Sequence, residues 1–150
     1  MIEVSLLEFA DELNALMPVI MREFAKRQAN ELYKGKITLP QFLVLDIIHK
    51  EGESKMTDLA HLMDVSTAAM TGIVNRLVKG GYILRKYDSR DRRIIKVILS
   101  PKGNELVKKT SQQRRQMSIK IFGKISEADR RDHLRILGQI RDILLHEKEG

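Results

Sequence analysis

The stretch Asp88-Ser89-Arg90-Asp91-Arg92-Arg93 is a charged tip set between two β-prone runs, Ile83 to Tyr87 and Ile94 to Leu99. Runs of β-branched and aliphatic residues on either side of a polar cluster read as a hairpin, and the three arginines make its tip basic. Directly upstream come a short helix, a tight turn and a second helix closing on Gly80-Gly81. That order is what a winged helix-turn-helix requires. The expected fold class is therefore mainly α with a small β-hairpin wing.

Working outward, Ser66 caps the second helix of the pair, in which Met70, Ile73, Val74, Leu77 and Val78 make an apolar stripe. Glycine at Gly80-Gly81 relieves the left-handed strain at its end. The exposed side carries Thr67, Ala68, Thr71, Gly72, Asn75, Arg76 and Lys79. The first helix of the pair starts from Thr57 as cap, turns Leu59, Ala60, Leu62 and Met63 inward, and stops at Asp64-Val65. Before it, Thr38-Leu39-Pro40-Gln41 is a capping box with proline tolerated in the first turn, opening a helix that runs to about Lys50.

The ends of the chain are helical too. From Ser5 to Leu32, the residues Leu6, Phe9, Leu13, Leu16, Met17, Ile20 and Phe24 recur at helical spacing, with Pro18 expected to kink or divide the segment. A helix begins at Pro101 and carries Leu106, Val107, Met117, Ile121 and Phe122 around the polar run Lys108 to Gln116. Ser126 with Asp129 caps a last helix striped by Leu134, Leu137, Ile140, Leu144 and Leu145.

A chain of 150 residues supports one compact domain. Lys+Arg 27 against Asp+Glu 20 gives a net charge of +7, which favours polyanionic partners. Cysteine is absent, so disulfides, thiolate metal sites and thiol redox switches are excluded. The N-terminus lacks a basic n-region, and no run approaches the roughly 18 apolar residues of a membrane span; the protein is expected in the cytoplasm, with no membrane partner. His49, His61, His133 and His146 are scattered without metal-ligand spacing. No nucleophile triad, phosphate-binding glycine loop or carboxylate pair stands out, so neither a cofactor nor an enzymatic activity is expected.

In a helix-turn-helix the second helix enters the major groove, so its N-terminal half needs small or polar side chains. Ser66, Thr67, Ala68 and Thr71 meet that need, with Asn75 and Arg76 farther along to reach bases or backbone; Ser66 is also the cap whatever else it does. Arg90, Arg92 and Arg93 are the wing's candidate contacts to backbone or minor groove. Asp91 is expected to brace Arg93 or another arginine rather than face phosphate. The plain alternative is a solvated hairpin tip beside a capped helix.

Thr38 to Val107 resembles the DNA-binding core of the MarR family of bacterial transcription regulators. The matching pieces are Leu39-Pro40-Gln41-Phe42-Leu43-Val44-Leu45, the helix end Asn75-Arg76-Leu77-Val78-Lys79-Gly80-Gly81-Tyr82-Ile83, the wing tip, and Leu99-Ser100-Pro101-Lys102-Gly103. The resemblance implies a single domain over residues 1–150. In it a DNA-binding lobe, 38–100, stands on a helical dimerisation region, 1–34 and 101–150. It further implies a homodimer on palindromic double-stranded DNA, usually as a repressor, released by a small anionic or phenolic effector. Phe24, Tyr33 and Phe42 lie near the expected hinge and are the candidate effector pocket, with ordinary core packing as their other reading. Gly72 departs from the basic or polar residue common at that position in the family. Two other readings stay open: a monomer burying its terminal helices on its own core, and a winged-helix adaptor whose hairpin meets an acidic protein.

Overall fold

The computed structural model describes residues 4–32 and 37–147, with side chains for 4–27 and 37–147. The elements run α1 (Leu6–Leu32), α2 (Leu39–Glu51), β1 (Ser54–Lys55), α3 (Met56–Leu62), α4 (Thr67–Lys79), β2 (Ile83–Tyr87), β3 (Ile95–Leu99), α5 (Pro101–Phe122) and α6 (Glu127–Glu147). This is a winged helix: helices with a small antiparallel sheet in the order β1-β3-β2. The chain divides into two compact units, 1–112 and 113–150.

In the first unit, α2, α3 and α4 pack against the sheet around Phe42, Val44, Leu45, Ile48, Leu59, Met70, Val74, Leu77, Ile83 and Val97, all at most 1% exposed. Val107 of α5 joins the same core. The helix starts follow from local chemistry. Thr38 accepts from the Gln41 amide at 3.3 Å while the Gln41 side chain accepts from the Thr38 amide at 3.1 Å, and Pro40 sits in the first turn, where its missing N–H costs nothing. Ser66 accepts from the Ala69 amide at 3.0 Å. Between α3 and α4, Asp64 turns the chain with φ +53°, and the Val65 amide donates to the Ala60 carbonyl.

Four expectations need correction. Thr57 lies within α3 and is not its cap; Lys55 takes that position without a side-chain hydrogen bond. Leu62 is 61% exposed, because a helix of only seven residues buries one face, here Leu59 and Ala60. Pro18 does not divide α1, which continues to Leu32. The strand expected from Ile94 begins at Ile95, and a third strand, β1, pairs Ser54 with Val97 and Lys55 with Lys96.

The end of α4 is tied to the start of α5. The Ser100 hydroxyl donates to the Gly81 carbonyl at 2.5 Å and accepts from the Gly103 amide at 3.1 Å. Lys102 donates to the Gly80 carbonyl at 2.8 Å and lies over the Tyr82 ring. Gly81 has φ +80°, a conformation glycine adopts without strain.

The terminal helices are bare. On α1, Leu6, Phe9, Leu13, Leu16, Met17 and Ile20 are all exposed and Phe24 is half-buried. In the second unit, no residue of α6 is buried, and Leu134, Leu137, Ile140, Leu144 and Leu145 stand open. The turn before α6 is closed by Ser126, which accepts from the Asp129 amide, and by Arg130, which donates to the Phe122 and Ile125 carbonyls.

Candidate nucleic-acid interface

α4 buries Met70, Val74 and Leu77 and turns Ser66, Thr67, Ala68, Thr71, Asn75 and Arg76 outward. The outward set recurs at i and i+4 from Thr67 through Thr71 to Asn75, which keeps these side chains on one ridge. Two of them already make internal bonds. The Thr71 hydroxyl donates to the Thr67 carbonyl at 2.8 Å, and the Asn75 Oδ1 accepts from the Arg85 guanidinium of β2. Gly72 is half-buried, with open space where a Cβ would stand.

The wing is β2 and β3 with the turn between them. Ile83 pairs with Leu99, Arg85 with Val97 and Tyr87 with Ile95, so Arg85 and Tyr87 share the sheet face of the buried Val97. This is why Arg85 meets α4. Lys86 and Lys96, paired on the other face, are like charges directly opposite; Glu53 offsets them, accepting from Lys86 at 3.4 Å and Lys96 at 2.9 Å.

The tip is held by carboxylates. Asp88 accepts from the Arg90 amide at 2.8 Å and the Asp91 amide at 3.1 Å, and pairs with Lys96 at 3.2 Å. These bonds, the Arg90 amide first, hold its carboxyl below the ordinary aspartate range. Asp91 accepts from the Arg93 guanidinium through both oxygens, Nε to Oδ1 and Nη2 to Oδ2, each at 3.1 Å, and also from the Arg93 amide. Its carboxyl is likewise lowered, chiefly by the Arg93 side chain. The Lys96 ammonium is raised, first by Glu53 and then by Asp88. The guanidinium groups of Arg90 and Arg92 are exposed and have no protein partner among the described residues.

Between α4 and the wing lies an open cleft of about 640 Å³ lined by Lys55, Thr57, Thr67, Thr71, Arg85, Tyr87 and Arg93, among others. Thr67, Thr71 and Arg93 come from the sequence-based set, and the fold brings them together here. Lys55, Thr57, Arg85 and Tyr87 were not in that set. Alternation along β2 would have put Arg85 and Tyr87 on one face; Lys55 sits on a strand too short to show a period. The residues expected at an effector pocket fall as follows. Phe42 is in the core at 1% exposure, Phe24 is half-buried on α1, and Tyr33 lies outside the described residues.

The arrangement has the chemistry of a polyanion surface. A helix start presents unpaired N–H groups and small hydroxyls, and a basic hairpin stands across a cleft from it. Among the described residues no helix is long and apolar enough to cross a membrane, and no cluster of His, Asp and Glu has the form of a metal site.

The sequence pattern of the MarR family matches residues 37–95. The HTH-type transcriptional regulator YpoP of Bacillus subtilis is 24% identical over 116 residues, covering 75% of this chain and 82% of YpoP. The structure of RV1404 from Mycobacterium tuberculosis superposes with TM-score 0.79 at 26% identity, over 95% of this chain and 96% of that one. FabT of Streptococcus pneumoniae, solved in complex with DNA, shares the fold with TM-score 0.82 at 19% identity, over 92% of this chain and 98% of FabT.

Proposed function

We propose that this chain, a member of the MarR family of bacterial winged helix-turn-helix transcription regulators, represses transcription as a homodimer seated on a palindromic operator. DNA-binding regulation comes with membership, and the family is one of regulators, not of enzymes. Repression, operator symmetry and the residues that touch DNA are the proposal. The observation that carries it is the cleft between α4 and the wing, with Thr67 and Thr71 on one side and Arg85 and Arg93 on the other. In this reading Ser66, Thr67, Ala68, Thr71, Asn75 and Arg76 serve the major groove. Arg90 and Arg92, whose guanidinium groups have no partner among the described residues, serve the backbone or minor groove, and Asp91 keeps Arg93 in place.

The homodimer is supported by the exposed leucines and isoleucines of α1 and α6, which amount to far more apolar surface than isolated residues on a monomer. A second copy buries such faces with two-fold symmetry and spaces two winged helices for two half-sites. Release by a small anionic or phenolic effector belongs to the same reading and rests on the family alone.

Selection of genome fragments by the purified protein, followed by footprinting at two salt concentrations, is the test. The expected result is a protected palindrome with half-sites about one helical turn apart, and affinity falling steeply with salt. Unrelated fragments with no footprint at either salt would overturn the proposal.

A further inference from the structure

We infer that Arg85 makes Asn75 a reader of guanine rather than of adenine. The inference rests on the reading of α4 as the helix that enters the major groove, and it assigns the base class that one of its side chains takes.

A free asparagine is suited to adenine, accepting from N6 through Oδ1 while donating to N7 through Nδ2. Asn75 is not free. Its Oδ1 accepts from the Arg85 guanidinium. A guanidinium has only donors, so it fixes which end of the carboxamide faces β2 and leaves the Nδ2 hydrogens pointing away from the strand. Oδ1 keeps a second lone pair, but it lies beside a cation, and an adenine amino group brought there would meet N–H against N–H. Guanine presents two acceptors at the same edge, O6 and N7, and both are attracted to the N–H groups of the Asn75–Arg85 pair.

The pairing is built into the fold. The register that puts Arg85 opposite the buried Val97 aims its side chain at α4. Asn75 lies one turn beyond Thr71, whose hydroxyl proton is spent on the Thr67 carbonyl, so that Thr71 offers the groove an acceptor and a methyl group. Acceptor at Thr71 and donors at Asn75 give the ridge a fixed polarity, and the sequence of α4 alone does not contain it, since half of it comes from β2.

The experiment is selection from a randomised duplex pool with the full-length wild type, Asn75→Ala and Arg85→Met, after thermal melts confirm that each variant is folded. Asn75→Ala identifies the position by the preference it loses. The wild type is expected to favour guanine there by about tenfold over adenine, and Arg85→Met, with Oδ1 released, to move that position toward adenine with the other positions unchanged. A wild type that prefers adenine at that position, an Arg85→Met that keeps guanine, or an Asn75→Ala that loses no preference would each overturn the inference while leaving DNA regulation intact. A wild type that enriches no sequence would instead bring down the proposed function, and the inference with it.

Discussion

Lys96 stands between Asp88 and Glu53, 3.2 Å from one carboxylate and 2.9 Å from the other, and so fastens the turn of the wing to the loop before β1. Asp88 is held below its usual value of 3.8, first by the Arg90 and Asp91 amides and then by Lys96. A carboxyl lowered in the folded state stabilises above its unfolded value, and that stabilisation is lost as pH falls through the folded one. The wing is expected to hold unchanged from pH 8 to pH 5 and to loosen only below about pH 4. In thermal melts from pH 3 to pH 7, Asp88→Asn should melt lower than wild type at pH 7, with the gap closing at the acid end.

Arg92 and Arg93 are adjacent in sequence but differ in engagement. Arg93 is tied to Asp91 by both carboxylate oxygens, whereas the Arg92 guanidinium has no partner among the described residues. Arg92→Ala should weaken operator and random duplex alike and lower the slope of log affinity against log salt by about 1. Fluorescence anisotropy over a salt series measures it. An unchanged slope would take Arg92 off the DNA.

Two glycines should respond to alanine in opposite directions. A Cβ on Gly103 runs into the Tyr82 carbonyl oxygen, backbone that is itself bonded to the Ser100 amide, so Gly103→Ala should cost about 1–3 kcal/mol. A Cβ on Gly72 meets nothing within 4 Å, so Gly72→Ala should stabilise by about 1 kcal/mol through helix propensity alone. For a chain of this size each kcal/mol moves Tm by about 2–4 °C, well within reach of calorimetry.

On α6, Leu144 is 57% exposed in the single chain. If a second copy covers it, Leu144→Glu places a charge in an apolar interface and should convert the protein from dimer to monomer in sedimentation, with operator affinity falling by far more than random-duplex affinity. A sedimentation profile identical to wild type would remove α6 from the interface.

The parts of the fold written in local chemistry were legible in the sequence. Thr38 with Gln41, Ser66 before α4, and the two β-prone runs around a charged turn each need only a few neighbouring residues to state their structure. β1 was not legible, because Ser54 and Lys55 are a strand only by virtue of the open edge of β3 beside them. Thr57 looked like a cap and is not one, since Lys55 enters α3 straight from that strand pairing. The site divides in the same way. The outward residues of α4 follow from helical period, but the bond from Arg85 to Asn75 joins residues ten apart through the packing of a strand on a helix, and no window of sequence holds both the partner and the geometry.

The joint between α4 and α5 closes the base of the wing. With Ser100 bonded on both sides and Lys102 closing on Gly80, the end of α4 and the start of α5 are pinned to each other although the whole wing lies between them in the chain. Both strands of the wing therefore spring from one clasp: β2 leaves just after Gly81 and Tyr82, and β3 returns to Ser100, whose amide donates to the Tyr82 carbonyl and whose hydroxyl donates to that of Gly81.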